Sequence, residues 1–158
     1  MTINQLGLAL LKHYEGFRSD AYLDIAGVPT IGYGFTKDVK LGDTITPDEA
    51  EKRLLRELSE REFAVKSLCS VPPNENQFAA MMCFAYNVGI GNFRDSSVLR
   101  FHNQKRFTQA ADAFRLWSLV HGKFVPGLAK RRESERTLYL TPVSQKPDQA
   151  ANPAPSGT

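Results

Sequence analysis

The sequence has few of the residues that build a metal site or a disulfide framework. Its 158 residues contain only two cysteines and three histidines. Cys69 and Cys83 are too few for a disulfide scaffold or a four-ligand zinc site, and the histidines show no paired ligand spacing. Cys83 lies in an apolar run, where a small core residue is expected. We therefore predict no metal and no cofactor.

Long hydrophobic runs are also missing. No apolar stretch approaches the roughly 18 residues that cross a bilayer, and residues 1–5 contain no basic leader. We therefore expect no membrane segment and no secretory signal, and a protein made soluble in the cytoplasm. Hydrophobic residues make up 42% and charged residues 23%, which are ordinary globular levels and exclude wholesale disorder. The length suits one domain.

The net charge of +3 is small but unevenly distributed. Residues 1–62 contain 8 Lys/Arg and 11 Asp/Glu, whereas residues 63–158 contain 12 and 6. This asymmetry indicates a polyanionic partner for the C-terminal part of the chain. Nucleic acid, teichoic acid and peptidoglycan all qualify, and charge alone does not choose among them.

Apolar residues at helical spacing predict a first helix that ends at Glu15. Thr2 is its candidate N-cap, and Gly16 is the type of residue expected just past a helix end. Glu15 then lies in the last turn, where the negative end of the helix dipole disfavours an ionised carboxylate. Burial among apolar neighbours would further favour the protonated form, which suits a general acid.

Strand-forming residues after the first helix predict a β-hairpin centred on Gly27. In that register Asp24 lies directly opposite Thr30 on the same face of the hairpin. Two glycines further along leave room for a ligand beside the backbone. The sequence therefore predicts a carboxylate next to a hydroxyl, close to the end of the first helix.

The remaining predicted elements are helices. A capping-box pattern at Thr46 begins a mostly polar helix of about twenty residues, and Asn74 begins a strongly apolar one. Ser96 or Ser97 is expected to cap a short helix, and Thr108 another. A basic helix follows, whose positive side chains either attract an anionic surface or pair with acidic neighbours along the helix.

Glu15, Asp24 and Thr30 gain meaning when they are considered together. They follow the spacing Glu-x8-Asp-x5-Thr, and the threonine begins a Thr-Ile-Gly-Tyr-Gly run. In these motifs the sequence resembles the phage-type lysozymes of glycoside hydrolase family 24. The likeness spans residues 6–140 in order, and it continues in Ala-Tyr-Asn-Val-Gly, Ser-Ser-Val-Leu and Gly-Leu-Ala-Lys-Arg-Arg segments.

The resemblance implies an α+β, mostly helical fold with two lobes joined by the long helix. A small hairpin lobe would comprise residues 15–68, and a helical lobe residues 1–14 plus 69–140. Residues 141–158 are rich in proline and contain no aromatic residue. We expect this segment to be a disordered tail outside the catalytic domain.

The resemblance also implies the activity: an endo-acting N-acetylmuramidase that hydrolyses the β-1,4 bond between N-acetylmuramic acid and N-acetylglucosamine in peptidoglycan. Glu15 would donate a proton to the departing sugar oxygen. Asp24 would stabilise positive charge at the anomeric carbon, and Thr30 would hold the attacking water. Two carboxyl groups in different environments suit this division of labour, and an inverting course is implied.

Other positions are matched by the resemblance less specifically. Tyr33, Asn87 and Ser97 correspond to positions that line or adjoin the saccharide cleft in relatives, so we predict them as substrate-binding residues. Trp117 is either a sugar platform or, with more support, a core residue. Family members usually have a histidine where this chain has Phe35. That substitution puts a local polar contact in doubt, but it leaves the catalytic set intact.

Such enzymes accumulate in the host cytoplasm and reach the wall when a separate membrane pore, the holin, opens. The resemblance therefore predicts a monomer with that localisation, host cell lysis as the outcome, and no nucleic-acid partner. One alternative is a lytic transglycosylase that acts on the same bond without water. Another is a non-catalytic binder of the wall or of nucleic acid.

Overall fold

The computed structural model describes residues 1–143, which form seven α-helices, two small antiparallel sheets and one 3-10 turn. Of the predicted tail, residues 141–158, the part from residue 144 onward lies outside the described residues. No helix of residues 1–143 is both long and apolar enough to span a membrane. The elements are α1 (Gln5–Glu15), β1 (Arg18–Leu23), β2 (Pro29–Gly32), α2 (Pro47–Leu68), α3 (Glu75–Val88), α4 (Ile90–Asp95), α5 (Ser97–Asn103), α6 (Phe107–Ala113), the 3-10 turn (Phe114–Leu116), β3 (Leu119–Val120), β4 (Lys123–Phe124) and α7 (Pro126–Leu140).

Helix α1 ends as predicted but begins differently. Gly16 terminates it with a φ of 66°, a conformation that glycine adopts without steric cost. The N-cap is Asn4 and not Thr2, so that prediction was wrong. Asn4 Oδ1 accepts the Gly7 amide proton at 3.0 Å, while Asn4 Nδ2 donates to Asn76 Oδ1 at 2.9 Å. Asn4 prevails because its amide satisfies the helix end and a tertiary partner at once.

The β1–β2 hairpin forms, but its predicted register was wrong. Tyr22 pairs with Thr30, and the Asp24 amide donates to the Val28 carbonyl at 3.0 Å. Asp24 is therefore at the turn and not opposite Thr30. The physical reason is that Asp24 Oδ1 accepts the amide protons of Ala26 and Val28, at 2.9 and 2.8 Å. An aspartate that closes a turn in this way moves the centre of the hairpin from Gly27 to Ala26.

The two longest helices begin where the sequence places them. The Thr46 hydroxyl accepts the Glu49 amide proton, and the Glu49 carboxylate accepts the Thr46 amide proton. These two bonds complete the predicted capping box of α2. The same reciprocal arrangement joins Asn74 and Gln77 at the start of α3. Helix α3 ends at Gly89, as its sequence indicates.

The shorter elements are predicted less well. Ser96 caps α5 by accepting the Leu99 amide proton, as expected. Thr108 caps nothing, because α6 already begins at Phe107 and has no side-chain cap. The two-residue strands β3 and β4 were not predicted, since they are too short to show an alternating pattern.

Helix α3 is the centre of the core. All of its residues from Asn76 to Ala85 are buried, and it packs against α1, α2 and α7. Cys83 is a free, fully buried cysteine whose thiol donates to the Gly7 carbonyl, which confirms its interpretation as a core residue. Trp117 packs edge-on against Phe84 with ring centroids 5.7 Å apart, in agreement with a core position.

Phe35, the departure from the family pattern, is a core residue with only 1% of its surface exposed. The Arg53 guanidinium lies over its ring, 4.6 Å from the centroid, and donates to the Lys37 carbonyl at 2.7 Å. A cation over an aromatic face is a favourable arrangement. This stack joins the segment after the hairpin to α2 without a buried histidine.

Candidate active site

Glu15 is held at the end of α1 by a guanidinium. Its Oε1 accepts a hydrogen bond from Arg131 Nη1 at 2.8 Å, and only 17% of the glutamate side chain is exposed. Most of the Glu15 side chain is shielded from solvent, as expected. The expected apolar surroundings are not found, because its hydrogen-bond partner is the positively charged Arg131. Glu15 is therefore fixed in direction by an ion pair that spans 116 positions of sequence.

Arg131 reaches Glu15 from the interior of α7. Its side chain is 5% exposed and also donates to the Glu135 carboxylate at 3.2 Å and to the Cys83 carbonyl at 3.1 Å. Sequence reasoning treated this arginine only as one of several basic residues. The signal available was spacing, since Arg131, Glu135 and Leu138 lie at helical intervals and all three are buried.

Asp24 and Thr30 meet through the backbone of Val28. Asp24 Oδ1 accepts the Val28 amide proton, and the Thr30 hydroxyl donates to the Val28 carbonyl at 2.9 Å. Within residues 1–143 no hydrogen bond engages Asp24 Oδ2. Thr30 is 4% exposed, and its hydroxyl oxygen keeps its capacity to accept a proton. The pair thus offers one free carboxylate oxygen and one orientated hydroxyl.

Gly34 connects Glu15 with a groove of about 660 Å³. A Cβ atom added at Gly34 would lie 3.0 Å from Glu15 Oε2, so the glycine backbone lies against the carboxylate. Tyr86 lies on the same groove, and its hydroxyl donates to the Tyr33 carbonyl at 3.1 Å. Burial raises the pKa of the Tyr86 phenol, so it remains a neutral donor. Charged side chains complete the lining: Lys37, Asp38, Arg53, Arg56, Glu57, Glu60 and Arg61.

The predicted substrate-binding residues have different surroundings. Tyr33 is half-buried beside Phe17, and its carbonyl anchors Tyr86 at the groove. Asn87 is exposed, and its Oδ1 accepts from Arg132 Nη2 at 2.8 Å, while its amide nitrogen has no hydrogen-bond partner among residues 1–143. Ser97 begins α5, and no hydrogen bond links it to Glu15 or the hairpin within residues 1–143.

The basic run of α7 is largely satisfied internally. Arg131 and Arg132 are buried and share Glu135, while Arg136 pairs with Asp112 at 3.0 Å. Lys130 alone of this run is exposed without an ion pair among the described residues. This arrangement agrees with the interpretation that the positive side chains pair with acidic neighbours.

Comparison with known proteins finds relatives of this chain in sequence and in fold. A model of the phage lysozyme family matches residues 12–135. The endolysin of Salmonella phage P22 is 41% identical over 146 residues, which cover 89% of this chain and 99% of that protein. The endolysin of Bacillus phage B103 is 41% identical over 92% of this chain, but this chain spans only 56% of that protein. The solved endolysin from Escherichia coli O157:H7 phage FAHEc1 is 38% identical with a TM-score of 0.83, over 92% of this chain and 98% of that one.

A mostly helical fold with a small hairpin, shared with solved endolysins, defines a lysozyme-like protein. The chain belongs to the phage lysozyme family. Both the predicted fold class and the predicted lysozyme enzyme class are confirmed.

Proposed function

We propose that this chain is an endolysin that hydrolyses the β-1,4 bond between N-acetylmuramic acid and N-acetylglucosamine in bacterial peptidoglycan. The observation that carries the proposal is the placement of Glu15, which is partly buried at the end of α1, held by Arg131 and in contact with Gly34 at the groove. A groove of about 660 Å³ falls within the usual range of ligand sites.

Glu15 is proposed as the general acid that protonates the departing sugar oxygen. Asp24 keeps an unengaged carboxylate oxygen with which to stabilise positive charge at the anomeric carbon. Thr30 would hold the attacking water, because its hydroxyl proton is already committed to Val28 and its oxygen can accept from water. Asn87 and Tyr33 are proposed to contact the saccharide, and Ser97 remains a prediction.

The test compares wild type with Glu15→Gln on chloroform-permeabilised Gram-negative cells, followed by loss of turbidity. We expect near-complete loss of activity with an unchanged circular dichroism spectrum. Glu51→Gln is the matched control, because Glu51 also accepts from a cation, Lys12 at 2.8 Å, but on the surface. Clearing by Glu15→Gln at the wild-type rate would remove Glu15 from the proposed role.

The course of the reaction is proposed to be inverting, with water held between Asp24 and Thr30. Nuclear magnetic resonance of the first product formed measures its anomeric configuration. We expect the opposite configuration to that of the substrate. Retention of configuration would contradict a single displacement by water and would require Asp24 to act as a nucleophile.

A lytic transglycosylase is the alternative on the same bond. It needs one catalytic acid and leaves anhydro ends, so the Asp24–Thr30 pair would have no water to hold. Mass spectrometry of digested wall distinguishes the two, because hydrolysed ends exceed anhydro ends by one water molecule. We expect hydrolysed ends.

We also propose that the protein acts as a monomer from the host cytoplasm and depends on a holin for access to the wall. The relatives named endolysins support a role in lysis from inside the host cell. When the chain is expressed inside bacteria, we expect lysis only after the inner membrane is opened by a co-expressed pore or by chloroform. Lysis without opening of the membrane would contradict holin dependence.

A further inference from the structure

Glu135 is a fully buried carboxylate shared by two guanidinium groups. Its Oε1 accepts from Arg131 Nε at 3.2 Å and from Arg132 Nη2 at 3.0 Å, and its Oε2 lies 2.8 Å from Arg132 Nε. The exposed fraction of its side chain is 0%, against 5% and 1% for the two arginines. Within residues 1–143 it is the only carboxylate within 4.0 Å of Arg132.

Each of these guanidinium groups also bonds to a proposed site residue. Arg131 Nη1 donates to Glu15 Oε1 at 2.8 Å, and Arg132 Nη2 donates to Asn87 Oδ1 at 2.8 Å. Glu135 is thus linked through Arg131 to Glu15, the proposed general acid. It is linked through Arg132 to Asn87, the proposed saccharide-binding amide. The two contacts join α7 to two other helices, because Glu15 ends α1 and Asn87 lies in α3.

Such a cluster is expensive to bury. Burial raises the pKa of Glu135, although both guanidinium groups act in the opposite direction. Apolar residues of similar volume are often as stable as a buried ion pair or more so. The stability of the core alone therefore does not account for a carboxylate at this position. The contacts of Arg131 with Glu15 and of Arg132 with Asn87 do account for it.

We propose that Glu135 is a positioning residue that directs Arg131 onto Glu15 and Arg132 onto Asn87, an inference that rests on the proposed roles of Glu15 and Asn87. Glu135 is not expected to touch the substrate. Its negative charge divides the attraction of Arg131 between two carboxylates and sets the direction of both arginine side chains.

Removal of the Glu135 charge should affect the ionisation of Glu15 in a predictable direction. The charged and titratable groups around the cluster are Glu15 on α1, Cys83 on α3, and Arg131 and Arg132 on α7. Without the Glu135 carboxylate, Arg131 has Glu15 as its remaining carboxylate partner, and a nearby negative charge is removed. Both changes favour ionised Glu15, whereas a general acid must be protonated.

The experiment measures kcat and KM on permeabilised cells or soluble wall fragments as a function of pH for wild type and Glu135→Gln. We expect kcat/KM to fall roughly 10- to 100-fold, as for small displacements of catalytic groups. We also expect the basic limb of the kcat/KM profile to move to lower pH by roughly one unit. Arg132→Lys, which disturbs the Asn87 contact, should raise KM more than it lowers kcat.

The matched control is Glu133→Gln, on the same helix and also paired with two arginines, Arg115 and Arg136, but at the surface. It should leave both kcat/KM and the pH profile unchanged. A wild-type pH profile in folded Glu135→Gln would overturn the positioning role while leaving the proposed hydrolase intact. An inactive wild type would instead overturn the proposed function.

A second variant covers the case in which Glu135→Gln does not fold. Glu135→Met combined with Arg132→Leu removes one buried charge of each sign, and such apolar replacements are commonly tolerated. Among the described residues Arg131 again keeps only Glu15 as its carboxylate partner, so the same downward movement of the basic limb is expected. An unmoved limb in this folded double variant, or failure of both variants to fold, contradicts the proposal, since Glu135 would then serve only the stability of the core.

Discussion

Gly34 lies against Glu15 so closely that a methyl group at the glycine would be 3.0 Å from the Glu15 Oε2 atom. The backbone at Gly34 also has a φ of 80°, which favours glycine. The absence of a side chain at this position therefore serves two needs, the turn after the hairpin and the space for the carboxylate.

Gly34→Ala is predicted to impair activity more than stability. The new methyl group displaces the Glu15 carboxylate, so we expect kcat on permeabilised cells to fall at least about tenfold. The left-handed backbone adds a destabilisation of about 1 kcal/mol. Gly42→Ala is the control, because Gly42 also has a positive φ, 98°, but no atom of residues 1–143 lies within 4 Å of its added Cβ. Equal activity losses in the two variants would show that backbone strain, and not contact with Glu15, is responsible.

Phe35→His is predicted to destabilise the protein, although it restores the residue usual in the family. The imidazole would replace a ring that is 1% exposed and would lie under the Arg53 guanidinium. A buried polar group without a partner costs about 2 kcal/mol, and protonation next to a guanidinium adds to that cost at low pH. Urea unfolding measures the loss.

Phe63→His provides the comparison for that variant. Phe63 is 77% exposed, so the same substitution should change the free energy of unfolding very little. A Phe35→His variant as stable as wild type would mean that this pocket supplies a partner for the imidazole, and that the Arg53 stack is dispensable.

The buried His102 is expected to make the stability of the protein depend on pH. Burial lowers its pKa below 6.5, and its Nε2 lies 2.9 Å from the Val71 carbonyl, which can only accept. The neutral ring therefore donates through Nε2 and accepts the Tyr139 hydroxyl proton at Nδ1. Because the unfolded chain takes up the proton first, His102 stabilises the fold above pH 6.5 and loses this contribution as the pH falls through its lowered pKa.

The measurement is urea unfolding of wild type and His102→Gln between about pH 7 and about pH 5. The difference in unfolding free energy between the two should shrink as the pH falls, because the variant has no imidazole to protonate. Glu135 acts in the opposite direction over part of this range, but it is common to both proteins and cancels. A constant difference across the range contradicts the prediction.

The elements predicted well are those whose signals lie within a few residues of one another. The capping boxes at Thr46 and Asn74 and the glycine that ends α1 use bonds that span three or four positions. The errors have tertiary causes or involve competing local bonds. The hydrogen bond from Asn4 to Asn76 favours Asn4 as the N-cap of α1. The bonds that Asp24 accepts from the Ala26 and Val28 amides shift the register of the hairpin.

The sequence by itself determined the candidates for chemistry, because Glu15, Asp24 and Thr30 belong to short motifs with fixed spacing. Tertiary structure decided what surrounds them. Arg131 meets Glu15 only because α7 packs across α3 next to the end of α1, and no local pattern reports a contact between residues 116 positions apart. Local bonding follows from adjacent residues, whereas the environment of a buried charge follows from the packing of the whole chain.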